Sequence, residues 1–93
     1  MKIIYQTKFV DAFKDILDFI ALDSKNSAIK FRNDVKDKIE NIHHMPFKYK
    51  QSLYFENENI RELTFKGYVI VYEIDKISDS IIIIGMKKYK EKF

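Results

Sequence analysis

The chain has 93 residues, of which 46% are hydrophobic and 33% charged, a composition typical of one globular domain spanning residues 1–93. It has no cysteine, two histidines, two glycines and one proline, which argues against a disulfide scaffold, thiol catalysis, a structural zinc site and a glycine-rich phosphate loop. No apolar run reaches the ~18 residues of a membrane helix, and the start of the chain does not have the pattern of a signal peptide. We therefore expect a cytoplasmic protein with no membrane contact, no metal and no cofactor.

The net charge of +3 lies at one end of the chain. Residues 1–86 carry 13 basic and 13 acidic side chains, whereas residues 87–93 carry four lysines and one glutamate. A basic end suits contact with phosphate or with an acidic protein, and a solvated terminus has the same composition. Tyr89, between lysines, is a candidate for stacking on a base. The candidate target contacts are Lys87, Lys88, Tyr89 and Lys90.

A short β-type run at residues 2–6 precedes two amphipathic helices. Apolar residues at helical spacing from Phe9 to Ile20 define the first helix, for which Thr7 is the predicted N-cap. Residues 23–27 interrupt the pattern and predict a turn of about five residues. The second helix ends before Pro46, so the two form an antiparallel helical hairpin. Its apolar stripe comprises Ala28, Phe31, Val35, Ile39 and Ile42.

Three strand patterns follow the hairpin. They span residues 60–65, 68–74 and 80–86, with a tight turn at Lys66-Gly67. A further short strand is predicted near residues 53–55, within an irregular loop. The order β-α-α-β-β-β predicts an α+β fold in which the helical hairpin packs on one face of a small, mainly antiparallel sheet.

The last strand is apolar on both of its faces, which predicts a central strand covered on both sides. Simple alternation places Ile82, Ile84 and Met86 on one face and Ile81 and Ile83 on the other. Two helices cover only one face of a sheet. The C-terminal tail, the long loop or a partner protein must cover the other face, and an exposed apolar patch on so small a protein indicates a binding surface.

Few residues form a pattern that indicates chemistry. His43 and His44 are adjacent at the end of a helix, about 100° apart, which does not favour a shared metal and does suit a surface or capping role. Arg61 has two interpretations: it pairs with an acidic side chain such as Glu58 or Glu73, or its guanidinium contacts an anion. The tyrosines at 68 and 72 are interpreted as core or interface aromatics.

Several segments together resemble the RelE/ParE toxins. Residues 15–20, 28–31 and 39–46 are similar to their helical hairpin, and residues 59–72, with an Arg-Glu-Leu followed by Tyr-x-x-x-Tyr, are similar to their most recognisable segment. The resemblance covers nearly the whole chain. It implies the toxin component of a type II toxin–antitoxin system, a class linked to plasmid stabilisation, with a cognate antitoxin as partner.

The resemblance implies one of two mechanisms. RelE-type members cleave mRNA on the ribosome with basic residues on the sheet, an Arg in a Tyr-Arg-x-x-Tyr segment, and basic and tyrosyl groups at the C-terminal end. ParE-type members act on DNA gyrase and do not have that set. Here Val69 stands at the Arg position, Glu62 where nucleases carry a Lys, and Phe93 about where a Tyr would be. We therefore expect DNA gyrase as the target, with the ribosome and mRNA as the alternative. The catalytic candidates for that alternative are Arg61, Lys87, Lys88 and Tyr89.

Antitoxins of this family typically present a helix and an extended segment, which implies docking beside the hairpin and on the adjoining sheet. Val10, Phe19 and Ile29 are apolar but lie off the core stripes of the two helices. We predict that these residues contact the antitoxin. The substitution Phe19→Asp is expected to weaken that binding and to change the stability of the free toxin little.

Overall fold

Two helices pack on one face of a five-stranded mixed sheet in the computed structural model, which describes residues 1–89. The strands hydrogen-bond in the order first, fifth, fourth, third, second; the first pairs with the fifth in parallel, and the other neighbours are antiparallel. The predicted α+β fold is confirmed. In chain order the elements are β1 (Lys2–Tyr5), α1 (Thr7–Asp23), α2 (Lys25–Glu40), a 3₁₀ turn (Ile42–His44), β2 (Lys50–Gln51), β3 (Ile60–Phe65), β4 (Tyr68–Asp75) and β5 (Ser80–Lys88).

The helical hairpin is tighter than the sequence predicts. Ser24 alone separates α1 from α2, in place of the predicted turn of about five residues. Its hydroxyl accepts a hydrogen bond from the Ser27 N–H at 3.1 Å, so this one residue ends α1 and caps α2. The predicted N-cap of α1 is wrong: Thr7 is the first helical residue, and Gln6 precedes it without a side-chain cap.

The core lies between the hairpin and the sheet. The predicted stripe of α2 is buried along its whole length, and Phe9 of α1 is buried with it. The other apolar stripe residues of α1 are half-buried and pack against this core. Sheet residues complete the cluster: Leu63, Ile70, Tyr72, Ile74, Ile81, Ile83 and Met86.

A β-bulge changes which side chains of β5 face the helices. Val71 pairs with Gly85 but Tyr72 pairs with Ile83, so the intervening Ile84 has no residue opposite it. The extra residue shifts the alternation, and Met86 joins Ile83 in the core beside the helices. The prediction that Met86 faces the same way as Ile82 and Ile84 is therefore wrong. The middle strand is β4, and β5 lies between β4 and β1.

The second face of the sheet is partly closed by the chain itself. Val69 and Val71 are 1% and 0% exposed, although they face away from Ile70 and Tyr72. Ser52, in the loop after β2, is also buried and lies against this face through Glu62. The strand predicted near residues 53–55 is wrong. The residues that pair with β3 are Lys50–Gln51.

Candidate functional site

Two open cavities lie between the two helices of the hairpin, and the predicted contact Val10 lines one of them. Here the start of α1 and the end of α2 enclose a cavity of about 200 Å³, and Val10 is 48% exposed. Burial, followed by the charge of Glu40, raises the pKa of the Tyr5 hydroxyl at this end. The lining residues are Tyr5, Phe9, Val10, Phe13, Lys36 and Ile39.

Ile29 lines the second of these cavities. The end of α1 and the start of α2 enclose a cavity of about 280 Å³ there, and Ile29 is 47% exposed. The two cavities together are called the interhelical groove. Lys25, Ile29, Arg32 and Lys36 follow one another at helical spacing on α2, so its α2 wall is basic. The lining residues at this end are Leu17, Asp18, Ala21, Lys25, Ala28, Ile29 and Arg32.

Phe19 lies in a different groove, between α1 and the end of β5. It is 61% exposed, and the Lys88 Nζ lies 5.5 Å from the centroid of its ring. The structure thus separates Phe19 from Val10 and Ile29 and brings it together with two predicted target contacts. We call this cavity of about 280 Å³ the α1–β5 groove. Its lining residues are Ala12, Asp15, Ile16, Phe19, Tyr68, Met86, Lys87 and Lys88.

The predicted target contacts do not form one cluster. Tyr89 is 50% exposed, and its backbone N–H donates to the Gly67 carbonyl at 2.7 Å. Tyr89 follows Lys88 along the strand direction. The pKa of Lys50 is raised mainly by the hydrogen bond to Glu62, and the charge of Tyr89 adds to this shift. Lys50 and Glu62 are on the far side of the sheet from the helices, whereas Lys88 reaches the helix side. The predictions for Lys90 and Phe93 lie outside the described residues.

Arg61 has a structural role. Its Nε donates to the Glu58 carbonyl at 2.8 Å and its Nη1 to the Tyr49 carbonyl at 3.2 Å. The guanidinium carbon lies 4.9 Å from the centroid of the Phe47 ring. Arg61 therefore bonds the backbone of Glu58, and not the carboxylate that the sequence suggested. Arg61 holds the loop between β2 and β3 against the sheet.

Glu62 is a buried carboxylate that binds a loop of the chain, a role that its sequence position does not indicate. Its side chain is 3% exposed, and its Oε1 lies 3.1 Å from the Lys50 Nζ. Its Oε2 accepts hydrogen bonds from the Ser52 hydroxyl at 3.2 Å and the Leu53 N–H at 3.4 Å. Position in an alternating strand predicts which face Glu62 takes, but it gives no indication of which distant loop covers it.

The two adjacent histidines lie at the surface with their ring centroids 4.0 Å apart. The Nδ1 of His43 lies 2.5 Å from the Glu40 carbonyl, so it caps the end of α2. Within residues 1–89, no group of three or more His, Cys, Asp or Glu side chains is placed to hold a metal ion. No helix in the same range is both long enough and apolar enough to cross a bilayer.

A helical hairpin on a mixed sheet, with open grooves on both sides of α1, defines the chain as a small α+β protein. The family described as ParE toxin of type II toxin–antitoxin system, parDE, matches residues 3–90. The chain belongs to this ParE toxin family, which confirms the resemblance noted in its sequence.

The fold is similar to that of a solved structure described as the chromosomal ParDE TA system from P. aeruginosa. The two chains superpose with a TM-score of 0.75 at 15% sequence identity, over 95% of each chain. At this identity the likeness establishes the fold. A comparison with curated proteins finds no match.

Proposed function

We propose that this ParE-family toxin inhibits growth by acting on DNA gyrase in the cytoplasm, and that a cognate antitoxin neutralises it. Membership of the family supports the toxin part of this proposal. The choice of gyrase over mRNA is supported by three residues at or near the positions where the nuclease type carries its basic groups. None of the three presents a free basic group at the surface.

Those three residues are buried or held by the protein itself. Val69 is 1% exposed, the Glu62 carboxylate is bound by Lys50 and Ser52, and the Arg61 guanidinium is bound by two backbone carbonyls. Cleavage of RNA through its 2′-hydroxyl needs a base, an acid and cations that stabilise the transition state. The burial of Val69, where the nuclease type has an arginine, is the observation that carries the proposal.

The test uses the purified toxin on purified gyrase and, in parallel, induced toxin in cells. We expect loss of supercoiling and accumulation of cleaved DNA–gyrase complexes, with mRNA intact. Unaffected gyrase together with codon-position-specific cuts in mRNA that disappear in Lys87→Ala or Lys88→Ala would favour the ribonuclease. Normal growth on strong induction without antitoxin would contradict both activities.

The proposed docking site for a helix of the antitoxin is the interhelical groove. Val10 lies at one end and Ile29 at the other. The α1 residues that line the cavity beside Ile29, from Leu17 to Ala21, follow Val10 by seven to eleven positions, which is about 10–16 Å at 1.5 Å per residue. Two turns of a docked helix span about the lower end of this distance, so apolar side chains spaced i and i+7 on that helix reach both cavities. The basic α2 wall favours acidic residues on one flank of that helix.

The contacts are tested with Val10→Asp and Ile29→Asp against Leu22→Asp. Leu22 is 82% exposed and lines neither the interhelical groove nor the α1–β5 groove, so it is a matched control on the same hairpin. We expect the first two changes to weaken antitoxin binding by at least about ten-fold, with little change in the melting temperature of the free toxin. Equal binding by all three variants would place the antitoxin elsewhere.

A further inference from the structure

A cluster of cations and aromatic rings lies where the chain leaves the helical hairpin. The Phe47 ring is 41% exposed, and the Arg61 guanidinium carbon and the Lys76 Nζ lie 4.9 Å and 5.0 Å from its centroid. The Lys48 Nζ lies 5.5 Å from the centroid of the Tyr49 ring. We call these five residues the Phe47 cluster. It shares no residue with the interhelical groove or the α1–β5 groove, so it is a separate surface.

The loop that carries this cluster is held in place by the rest of the chain. The Lys48 N–H donates to the Met45 carbonyl at 3.0 Å, which closes a turn that contains Phe47. Arg61 donates to the Tyr49 carbonyl at 3.2 Å while its guanidinium packs on the Phe47 ring, so Arg61 is a positioning residue for that ring. A partner that stacks on the ring finds it already ordered, which lowers the entropy cost of binding.

The cations of the cluster have no anionic partner within the described chain. Among residues 1–89, none of Lys48, Arg61 and Lys76 forms an ion pair. Asp75 precedes Lys76, but its carboxylate accepts two backbone N–H groups of its own turn, at 3.0 and 3.2 Å. Glu58 is exposed and bonds Arg61 through its backbone carbonyl. Arg61 and Lys76 both lie about 5 Å from one ring centroid, so these like charges are at most about 10 Å apart, and an added anion relieves their repulsion.

The form of this surface favours a nucleic acid over a peptide. A base stacks on any flat ring that is open to solvent, and its phosphates pair with neighbouring cations. An apolar side chain of a peptide gains most from a closed pocket, and the cavities described above do not include the Phe47 ring. Residues 47–49 read aromatic, basic, aromatic, a composition that suits binding of a single strand.

We propose that the Phe47 cluster binds a single strand of nucleic acid. One base stacks on the exposed Phe47 ring, and the phosphates on either side of it contact Lys48 and Lys76. The Lys76 side chain is exposed, so its ammonium moves from the ring to a phosphate when the base arrives. DNA and RNA offer the same base and phosphate chemistry, and the test compares the two. The proposal does not rest on gyrase being the target, because binding is a property of the toxin alone.

Stacking is tested with Phe47→Trp, because the chain has no tryptophan and the new indole is its only one. The probes are an oligothymidylate and an oligouridylate of about eight nucleotides. We expect both to quench the indole emission at saturation, since a base then covers the ring, and quenching by one alone would support a strand selected by its sugar. Binding of a probe, measured by its own fluorescence anisotropy, with unchanged indole emission would overturn the proposal, as would binding of neither probe.

Titrations of a labelled probe measure the contributions of the ring and of the charge. Phe47→Ala should weaken binding at least about five-fold, the loss of one stacked base. Lys76→Gln should weaken binding and reduce the slope of log K against log salt by about 0.7, which corresponds to one phosphate contact. Lys30→Gln removes the same charge from an exposed lysine of α2 and is the matched control, which should bind like wild type. Equal losses in Lys30→Gln and Lys76→Gln would show that net charge alone attracts the strand, against the proposal.

Two further results would contradict binding of a strand at this surface. If Lys88→Gln weakens binding while Phe47→Ala does not, the basic C-terminal end holds the strand. If a polyglutamate peptide displaces the probe at equal concentration of charge, the surface recognises an acidic protein rather than a nucleic acid. Should Phe47→Ala fail to fold, seen as a lost thermal transition, the quenching in Phe47→Trp decides the question.

Discussion

The hydroxyl of Tyr72 donates a hydrogen bond of 2.6 Å to the backbone carbonyl of Pro46, 26 residues earlier in the chain. Tyr72 is fully buried on the middle strand of the sheet, and Pro46 lies in the loop that follows the helical hairpin. This bond therefore ties the exit of the hairpin to the centre of the sheet, and it fixes the start of the long loop that carries β2.

Tyr72→Phe removes this bond and nothing else of similar size. We expect it to lower the free energy of unfolding by about 1 kcal/mol, since the ring still fills its place but the Pro46 carbonyl loses its partner. For a domain of this length that corresponds to a fall of roughly 4–8 °C in melting temperature. Thermal and urea unfolding measure it, and an unchanged stability would show that water replaces the bond without cost.

The stability loss in Tyr72→Phe should depend on pH. Burial raises the pKa of the Tyr72 hydroxyl well above its ordinary 10.0, so the folded protein keeps a proton that the unfolded chain releases. The unfolded state then binds fewer protons, and the contribution of Tyr72 to stability falls as pH rises above about 10. The difference between wild type and Tyr72→Phe should shrink between about pH 9 and about pH 11.

Ile39→Val is the control for this pH dependence. Ile39 is 1% exposed and has no titratable group, and the substitution is expected to cost about 1 kcal/mol. Its stability deficit should stay constant over the same pH interval, measured by urea unfolding. A deficit in Tyr72→Phe that is equally constant would show that Tyr72 ionises alike in the folded and unfolded protein.

The buried carboxylate of Glu62 should matter more than the ion pair it makes. Glu62→Ala leaves the Ser52 hydroxyl and the Leu53 N–H without their acceptor, and we expect a loss of about 2–3 kcal/mol. Glu62→Gln keeps an oxygen acceptor and should lose less. Lys50→Gln should have the smallest effect, because the Lys50 side chain is 53% exposed and its ion pair is screened by water.

Urea unfolding measures these three variants, and hydrogen exchange at the Leu53 amide reports on the loop itself. We expect that amide to exchange faster in Glu62→Ala than in Lys50→Gln. The reverse order would mean that the ion pair with Lys50, rather than the hydrogen bonds to the loop, holds this region on the sheet.

The turn between β3 and β4 gives a test of backbone conformation. Lys66 and Gly67 both have positive φ, 48° and 84°, as a two-residue hairpin turn of type I′ requires. Gly67→Ala should cost about 1 kcal/mol from the conformation alone, because nothing lies within 4 Å of an added Cβ. Lys66→Asn should raise stability, since Asn tolerates this region better and the ion pair lost to Asp34 is long, at 3.9 Å, and exposed. Melting temperatures check both, and a loss in Lys66→Asn would contradict this reasoning.

Sequence patterns predict the local elements of this protein well and its long-range arrangement poorly. The strand at Ile60–Phe65 and the buried stripe of α2 follow from periodicity alone. The bulge at Ile84 does not follow from periodicity, because every residue of the run is isoleucine and the sequence does not mark which one is the extra residue. The predicted contacts Val10, Phe19 and Ile29 are all exposed, but only the packing of α1 on β5 shows that Phe19 shares a groove with Lys88 rather than with the other two.

The parallel pairing of β1 with β5 has a consequence for synthesis of the protein. It joins residues 2–5 to residues 80–83, so the first strand waits for its partner until nearly the whole described chain has left the ribosome. The helical hairpin depends on contacts between neighbours in sequence and can form earlier. A partner that binds the interhelical groove thus has a target on the nascent chain, whereas the α1–β5 groove, which Lys87 and Lys88 line, exists only once translation is almost finished.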